Sequence, residues 1–304
     1  ERDFGNSTDW QDFIFRTAAS SNNNLSYSNN YGTGNVRATF GYGKTFGVVE
    51  NTSLERITGR VNANQRFLND KLKLGLQASI SRVNDETAPI GASAGFRGDL
   101  LGAAYSANPT WPVWADFEGT GGLLSPATAL AYTQNIANTD RYLINFSVEY
   151  DLTSELSAKV NLGYDKSEST RTAVASKFAR NFDQGAFGNG LGAINDIDNE
   201  SKLLEGTLNY TKDFGNSNLD ILAGYSFQDF TTSGRNVSGY GFFAEDLNQM
   251  GDDLEWVANQ VASRIDGEYQ QYGYAPNISD GIFVNRLFPE PATEFIPIVN
   301  NGLV

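Results

Sequence analysis

The chain has 304 residues, a net charge of −14, and neither cysteine nor histidine. That excludes disulfides, thiolate or imidazole metal sites and Ser-His or Cys-His catalytic pairs, and the acidic balance argues against nucleic acid, which needs clustered Lys and Arg. Mean hydropathy is −0.38 and no run approaches the roughly 18 apolar residues of a membrane helix, but alternating strands of a membrane barrel also average to mild hydropathy.

The 20 Phe, 14 Tyr and 31 Gly, set against 8 Pro, are the composition of strands, turns and long polar loops. Residues 1–22 read as an entry segment. From residue 23 onward the apolar residues recur with period two, which sends successive side chains to opposite faces of a strand. The first hairpin runs through Leu25 and Tyr27, past a Gly/Asn turn, to Val36, Ala38, Phe40 and Tyr42. The second carries Ile57, Val61, Ala63 and Phe67, a turn over 68–71, then Leu72, Leu74, Leu76, Ala78 and Ile80. The third has Tyr142, Ile144, Phe146, Val148 and Tyr150, then Leu156, Ala158, Val160, Leu162 and Tyr164. The fourth has Leu204, Leu208 and Tyr210, then Leu219, Ile221, Ala223, Tyr225 and Phe227.

Four hairpins give about eight strands over 23–232, most of them near the nine to eleven residues of a tilted membrane-spanning strand. Turns within hairpins are short, whereas the links at 84–140 and 169–200 and the region 233–304 read as long loops. This alternation puts short turns on one side of the sheet and long loops on the other, as in outer-membrane barrels. The opposite parity is polar: Arg56, Arg60, Asn62 and Arg66 in the second hairpin, Asn161, Glu205 and Asn209 later. It belongs in water. No second layer of strands or amphipathic helices suffices to cover the apolar parity, so lipid is its partner and a polar lumen lies behind it. Aromatics near strand ends, among them Tyr42, Phe46, Phe67, Tyr142, Tyr150, Tyr164, Tyr210 and Tyr225, suit interfacial girdles.

Within the loops, residues 108–118 (NPTWPVWADFE) bring rigid rings beside carboxylates, which suits a sugar, a peptide or a covering protein. Trp111, Trp114, Asp116 and Phe117 are the candidate contacts. Residues 99–107 and 125–137 read as short loop helices, the second with Ser125 as N-cap and Pro126 at its first position. NDIDNE (Asn195–Glu200) alternates Asp196, Asp198 and Glu200 but lacks the glycine and distant glutamate of a calcium loop, so it reads as a solvated turn. AEDLNQMGDDLEWVANQVAS reads as a surface helix with its acids in solvent. Nothing converges on catalysis, and no cofactor or metal is called for.

The segments TDWQDFIFR (Thr8–Arg16) and NNLSYS (Asn23–Ser28), the pattern of Leu54, Glu55, Arg56, Arg60 and Asn62, and KLKLG (Lys71–Gly75), LAGYSFQDF (Leu222–Phe230) and YQQYGY (Tyr269–Tyr274) together resemble the mid-barrel region of SusC/RagA-type TonB-dependent outer-membrane transporters. The resemblance implies an all-β fold: an antiparallel transmembrane barrel segment, part of a larger, 22-stranded barrel with long extracellular loops in a Gram-negative outer membrane. It implies import of oligosaccharides or peptides beneath a SusD-like surface lipoprotein, energised by a TonB complex through segments not seen in this chain, and no enzymatic activity. It also implies an internal plug, of which the sequence shows no sign. The alternative is a self-contained eight-stranded barrel acting in adhesion or surface binding.

Overall fold

The computed structural model describes residues 2–91, 99–114, 117, 125–179, 190–264 and 298–303. After a short helix α1 (Trp10–Ile14) come β1 (Ser20–Tyr31), β2 (Gly34–Phe46), β3 (Ser53–Phe67) and β4 (Leu72–Glu86). Two helices, α2 (Leu100–Ser106) and α3 (Pro126–Tyr132), precede β5 (Thr133–Asp151), β6 (Leu156–Ala175), β7 (Leu191–Asp213) and β8 (Asn218–Tyr240). Helix α4 (Leu247–Arg264) and a short strand β9 (Ile298–Leu303) complete the described elements. All nine strands form one antiparallel sheet in chain order. The eight expected strands are present, and the sheet is not closed: β1 and β9 are its edges among the described residues.

The register explains why this sequence forms a sheet of this kind. Val36, Ala63, Leu76, Phe146, Leu162, Leu204 and Phe227 pair in succession from β2 to β8, forming one apolar rung across seven strands. A slip of one residue in any strand would move its whole apolar set to the polar face. Large side chains also meet small partners, as where Tyr225 lies opposite Gly206 and Phe40 opposite Gly59. The turn between β3 and β4 is tight: Leu68, Asn69 and Asp70 all have left-handed backbones, with φ of 55°, 53° and 68°. Asn and Asp tolerate that region because their side chains can bond locally.

The strands run further than the alternation indicated. β5 begins at Thr133, inside the expected loop 84–140; β6 extends to Ala175 and β7 starts at Leu191, both inside 169–200; β8 reaches Tyr240. NDIDNE is thus part of strand β7 rather than a turn. The region 233–304, read as loop, holds the end of β8, α4 and β9. The cause is environmental: above a membrane both faces of a sheet are wet, so the backbone ladder continues without apolar alternation to mark it. α3 ends at Tyr132 and the rest of the expected helix is strand. Ser125 precedes α3 but makes no side-chain cap bond, whereas Asp99 caps α2 by accepting from the Leu101 N–H.

Two larger clusters, beside a small one around Ala175 and Ala179, cover the loop side. In the first, Trp10 and Ile14 of α1 pack with Leu100, Ala103 and Ala104 of α2, Trp111, and Ala127 and Ala129 of α3. Trp10 Nε1 donates to Asn108 O at 3.0 Å and the Thr8 amide to Pro109 O at 2.8 Å. Arg16 secures the approach to β1: its guanidinium donates to Gly47 O, Thr52 O and Glu50 Oε2. In the second cluster, Met250, Leu254, Val257 and Ala258 of α4 cover Val174, Ile194 and Val237. These strand positions share the parity of the apolar rung, so α4 packs on the outer face of the sheet where it extends beyond the apolar belt.

Candidate functional site

The sheet itself is the functional surface, and its two faces differ in kind. On the outer face of β5 the apolar positions run from Tyr142 to Tyr150, opposite Ile80 to Leu72 on β4 and Lys166 to Ala158 on β6. Eight residue steps of about 3.4 Å, tilted by roughly 40°, give a belt some 21 Å high. That approaches the apolar band of about 25 Å on transmembrane barrels. Phe40, Ile80, Ile144, Val160, Leu162, Leu208, Ile221 and Phe227 are all exposed on it, far beyond the few hundred Å² of apolar patch that a soluble surface tolerates.

Tyr150 and Phe67 lie at the short-turn edge of the belt, while Tyr42, Tyr142 and Tyr164 lie at its loop-side edge. The belt ends abruptly there. One or two pleats beyond Tyr142 and Tyr164 the same parity turns charged, with Arg82 and Asp140 in a two-point pair at 2.7 and 2.6 Å. Lys166 pairs with Glu168 and Asp198, and Lys202 with Glu200. This switch marks the level at which the outer face leaves lipid for water.

The inner face is mainly polar, with Leu143, Leu203, Leu222 and Phe230 among the apolar exceptions on the same parity, and it is laced by cross-strand pairs. Lys73 holds Glu149 at 2.8 Å, Arg141 holds Asp165 through two bonds of 3.0 and 2.7 Å, and Asn161 donates to Glu205 at 3.4 Å. Above the belt, hydrogen bonds from Arg82 keep the Asp140 carboxyl below its ordinary value. A carboxylate depressed in the folded state contributes stability that is present above its unfolded pKa and is lost as pH falls through the folded one. Hydrogen exchange of β4–β6 amides above Tyr142 is therefore expected to quicken only once the pH falls below the ordinary aspartate range. Arg82→Gln should move the onset upward, while the belt amides stay protected. The effect is small, because the Arg82–Asp140 pair is half-exposed.

The structure separates the loop residues singled out from the sequence. Trp111 is fully buried (0% exposed) in the α1–α3 cluster and Phe117 packs on it at 5.6 Å between ring centroids, with Phe4 edge-on to Phe117 at 5.2 Å. Trp114, three residues on, is 67% exposed, and Asp116 lies outside the described residues. Tyr105 of α2 is 84% exposed; sequence reading passed it over as helix scaffold, and only burial distinguishes it. YQQYGY also lies outside the described residues. Among the described residues no group of three or more carboxylates is arranged to hold a metal ion, and no helix is long and apolar enough to cross a membrane, which says nothing of a barrel.

No family model matches the chain. It is 26% identical over 259 residues to the TonB-dependent receptor SusC of Bacteroides thetaiotaomicron, covering 75% of this chain and 24% of that protein. It is 28% identical over 251 residues to the TonB-dependent receptor P3 of Formosa agariphila, covering 79% of this chain and 24% of that protein. The chain thus spans about a quarter of the length of these relatives. Among solved structures it is similar to the RagAB peptide transporter, with a TM-score of 0.66 and 19% identity over 81% of this chain and 29% of that one. The RagAB peptide importer in its closed-closed state is similar as well, with a TM-score of 0.63 at 18% identity, covering 81% of this chain and 28% of that one; identities this low speak for fold alone. In sequence, in fold and in its two-faced strand pattern the chain is similar to a run of consecutive barrel strands of SusC/RagA-type TonB-dependent transporters.

Proposed function

We propose that this chain forms part of the wall of an outer-membrane importer energised through TonB, which takes up peptides or oligosaccharides together with a SusD-like surface lipoprotein. One observation carries the reading: a continuous apolar belt on one face of eight strands, backed by a mainly polar face that suits the interior of a barrel. Likeness to receptors and to a peptide importer supports transport over adhesion. In a larger closed barrel the short turns face the periplasm, and the α1–α3 cluster and α4 sit on the extracellular rim. There Trp114 and Tyr105 offer exposed rings to a substrate or to the lipoprotein lid, while Trp111 and Phe117 support them from within.

The test is made on the full-length protein in native outer membranes. It is expected to migrate as a heat-modifiable species several times larger than this chain, to co-purify with a lipoprotein, and to mediate uptake of labelled peptides or oligosaccharides that a protonophore abolishes. A heat-modifiable species near the 33.2 kDa of this chain, with uptake indifferent to the protonophore, would replace import by the small adhesive barrel.

A further inference from the structure

On the outer face the belt ends in the same way on every strand from β2 to β8. Two residues past Tyr42, Ile80, Tyr164 and Leu204 stand Lys44, Arg82, Lys166 and Lys202. Two residues past Ile57, Tyr142 and Phe227 stand Glu55, Asp140 and Asp229. The first outward position above the belt is thus charged on each strand of the series. The short-turn edge is built differently. There the same parity runs down to Phe67, Leu72, Tyr150, Leu156 and Leu219, and among the described strands its one charge is Lys212. The two edges of the belt suit headgroups of different chemistry.

The charges are also sorted by height. The next two outward positions on these strands hold Glu86, Glu168, Asp198 and Glu200 but no Lys or Arg. The following cation, Arg235, pairs with Asp196 and donates to Asn259 of α4, so it belongs to the seat of that helix. Cations lie nearest the lipid, with acids behind them. The register shows that the cations are level. Pairing leads from Lys44 through Glu55, Asn84, Asn138 and Thr170 to Asp196, and Lys202 lies six residues below it. Those residues at about 3.4 Å, against five strand spacings of about 4.8 Å, incline the line from Lys44 to Lys202 by about 40°. Strands of a transmembrane barrel tilt by roughly 35–45°, so the four cations stand at one depth, over about 31 Å of the membrane plane. The short-turn edge drops the same way: Leu72 leads through Tyr150, Ala158 and Leu208 to Ala223, and Leu219 lies four residues below.

We infer that this row is a collar that binds the phosphate groups of outer-leaflet glycolipids of the lipid A type. The inference rests on the outer-membrane reading above and adds a lipid partner to it. Neighbouring carboxylates pin the cations without exhausting them. Arg82 donates to Asp140 through Nε and Nη2 and keeps Nη1, while Lys202 holds Glu200 with an ammonium that has three donors. Both side chains are 59% exposed. Lys166 lies directly opposite Tyr142, and Lys202 opposite Tyr164, so ring and ammonium share the interfacial level where tyrosine settles. A phosphate at that depth meets cations first, in an interface where charges attract more strongly than in bulk water; most of the acids stand a pleat or two nearer the water. Adjacent cations are about 8–12 Å apart, so a sugar headgroup with two phosphates can engage more than one.

The experiment reconstitutes the full-length protein in phosphatidylcholine vesicles containing bis-phosphorylated lipid A, or the same lipid A stripped of its phosphates. EDTA is present so that divalent ions do not bridge carboxylates to phosphates. Native mass spectrometry of the protein released into detergent gives the apparent dissociation constant of each lipid. The phosphorylated form is expected to be retained and the stripped form to be lost. An Arg82→Gln/Lys166→Gln/Lys202→Gln variant that stays heat-modifiable should bind the phosphorylated form about fivefold more weakly for each cation removed, roughly a hundredfold in all. Lys212→Gln, at the other edge, should bind it unchanged. Equal retention of the two lipids by the unaltered protein overturns the collar without recourse to any variant. Undiminished binding by the triple variant overturns it too, as does an equal loss in Lys212→Gln. Each of these leaves the importer reading standing if the protein is a large heat-modifiable barrel with protonophore-sensitive uptake; absence of such a barrel overturns both.

Discussion

Val160→Arg is expected to destabilise the barrel by about 2–4 kcal/mol, the cost of an arginine on the lipid face at the midplane. Val160 is the middle residue of the belt segment of β6, Leu156 to Tyr164, and lies between Val148 of β5 and Gly206 of β7. No charged group on that face lies level with it among the described residues, and the arginine must either stay in hydrocarbon or stretch the better part of the belt's half-height to reach water. Asn161→Arg, one residue on, puts the same charge in the lumen beside Glu205, which Asn161 already contacts at 3.4 Å. It is expected to change stability by less than about 0.5 kcal/mol. The two variants differ only in which side of the pleat the charge occupies. Urea unfolding of the full-length protein in lipid vesicles, scored by heat-modifiability, checks the contrast, and equal tolerance at both positions would remove the membrane assignment.

The second large effect is at Trp111. Trp111→Ala should cost about 3–5 kcal/mol of local stability in the α1–α3 cluster, because a fully buried indole leaves a cavity bounded by Phe117 and the helices around it. Its Nε1 is buried without a partner among the described residues. Trp111→Phe therefore loses ring volume but no hydrogen bond, and should cost clearly less than the alanine variant. Trp114→Ala, at a 67% exposed ring, should stay within about 0.5 kcal/mol in stability while weakening any partner that uses the ring. Limited proteolysis of the segment between β4 and β5 reads the stability arm. Matching losses at Trp111 and Trp114 would mean that the two rings do the same work, contrary to their burial.

The contrast between these tryptophans shows where the sequence stops being informative. Both sit in NPTWPVWADFE, three residues apart, and nothing local says that one is core and the other surface. Burial is decided by α1, some hundred residues earlier, whose Trp10 donates to the carbonyl of Asn108. Where one face meets lipid, by contrast, the environment writes itself into the residues. Tyr142 to Tyr150 and Leu156 to Tyr164 could be paired from alternation alone, and the register joins them with Tyr150 opposite Ala158 and Ile144 opposite Tyr164. Above the belt that signal vanishes. Asp196, Asp198 and Glu200 look like a polar turn because both faces of β7 are wet there, yet the ladder to β6 and β8 continues through them. The helix expected over residues of 244–263 is present as α4, but its seat on the outer face of the sheet, over Val174, Ile194 and Val237, depends on strand extensions the sequence did not reveal.

This chain brings no cysteine of its own, so once any cysteine elsewhere in the full-length protein is replaced by serine, the central claim, lipid on one face and lumen on the other, can be measured directly. Single cysteines placed in turn at positions 143 to 149 of β5 in the full-length protein, spin-labelled in lipid vesicles, report collision with oxygen, which concentrates in bilayer, and with a nickel chelate, which stays in water. Labels at 144, 146 and 148 are expected to favour oxygen, and those at 143, 145, 147 and 149 the chelate, with a period of two residues. A period of two in which the even positions are shielded from both reagents would mean that this face packs on protein, and the barrel-wall account would be wrong.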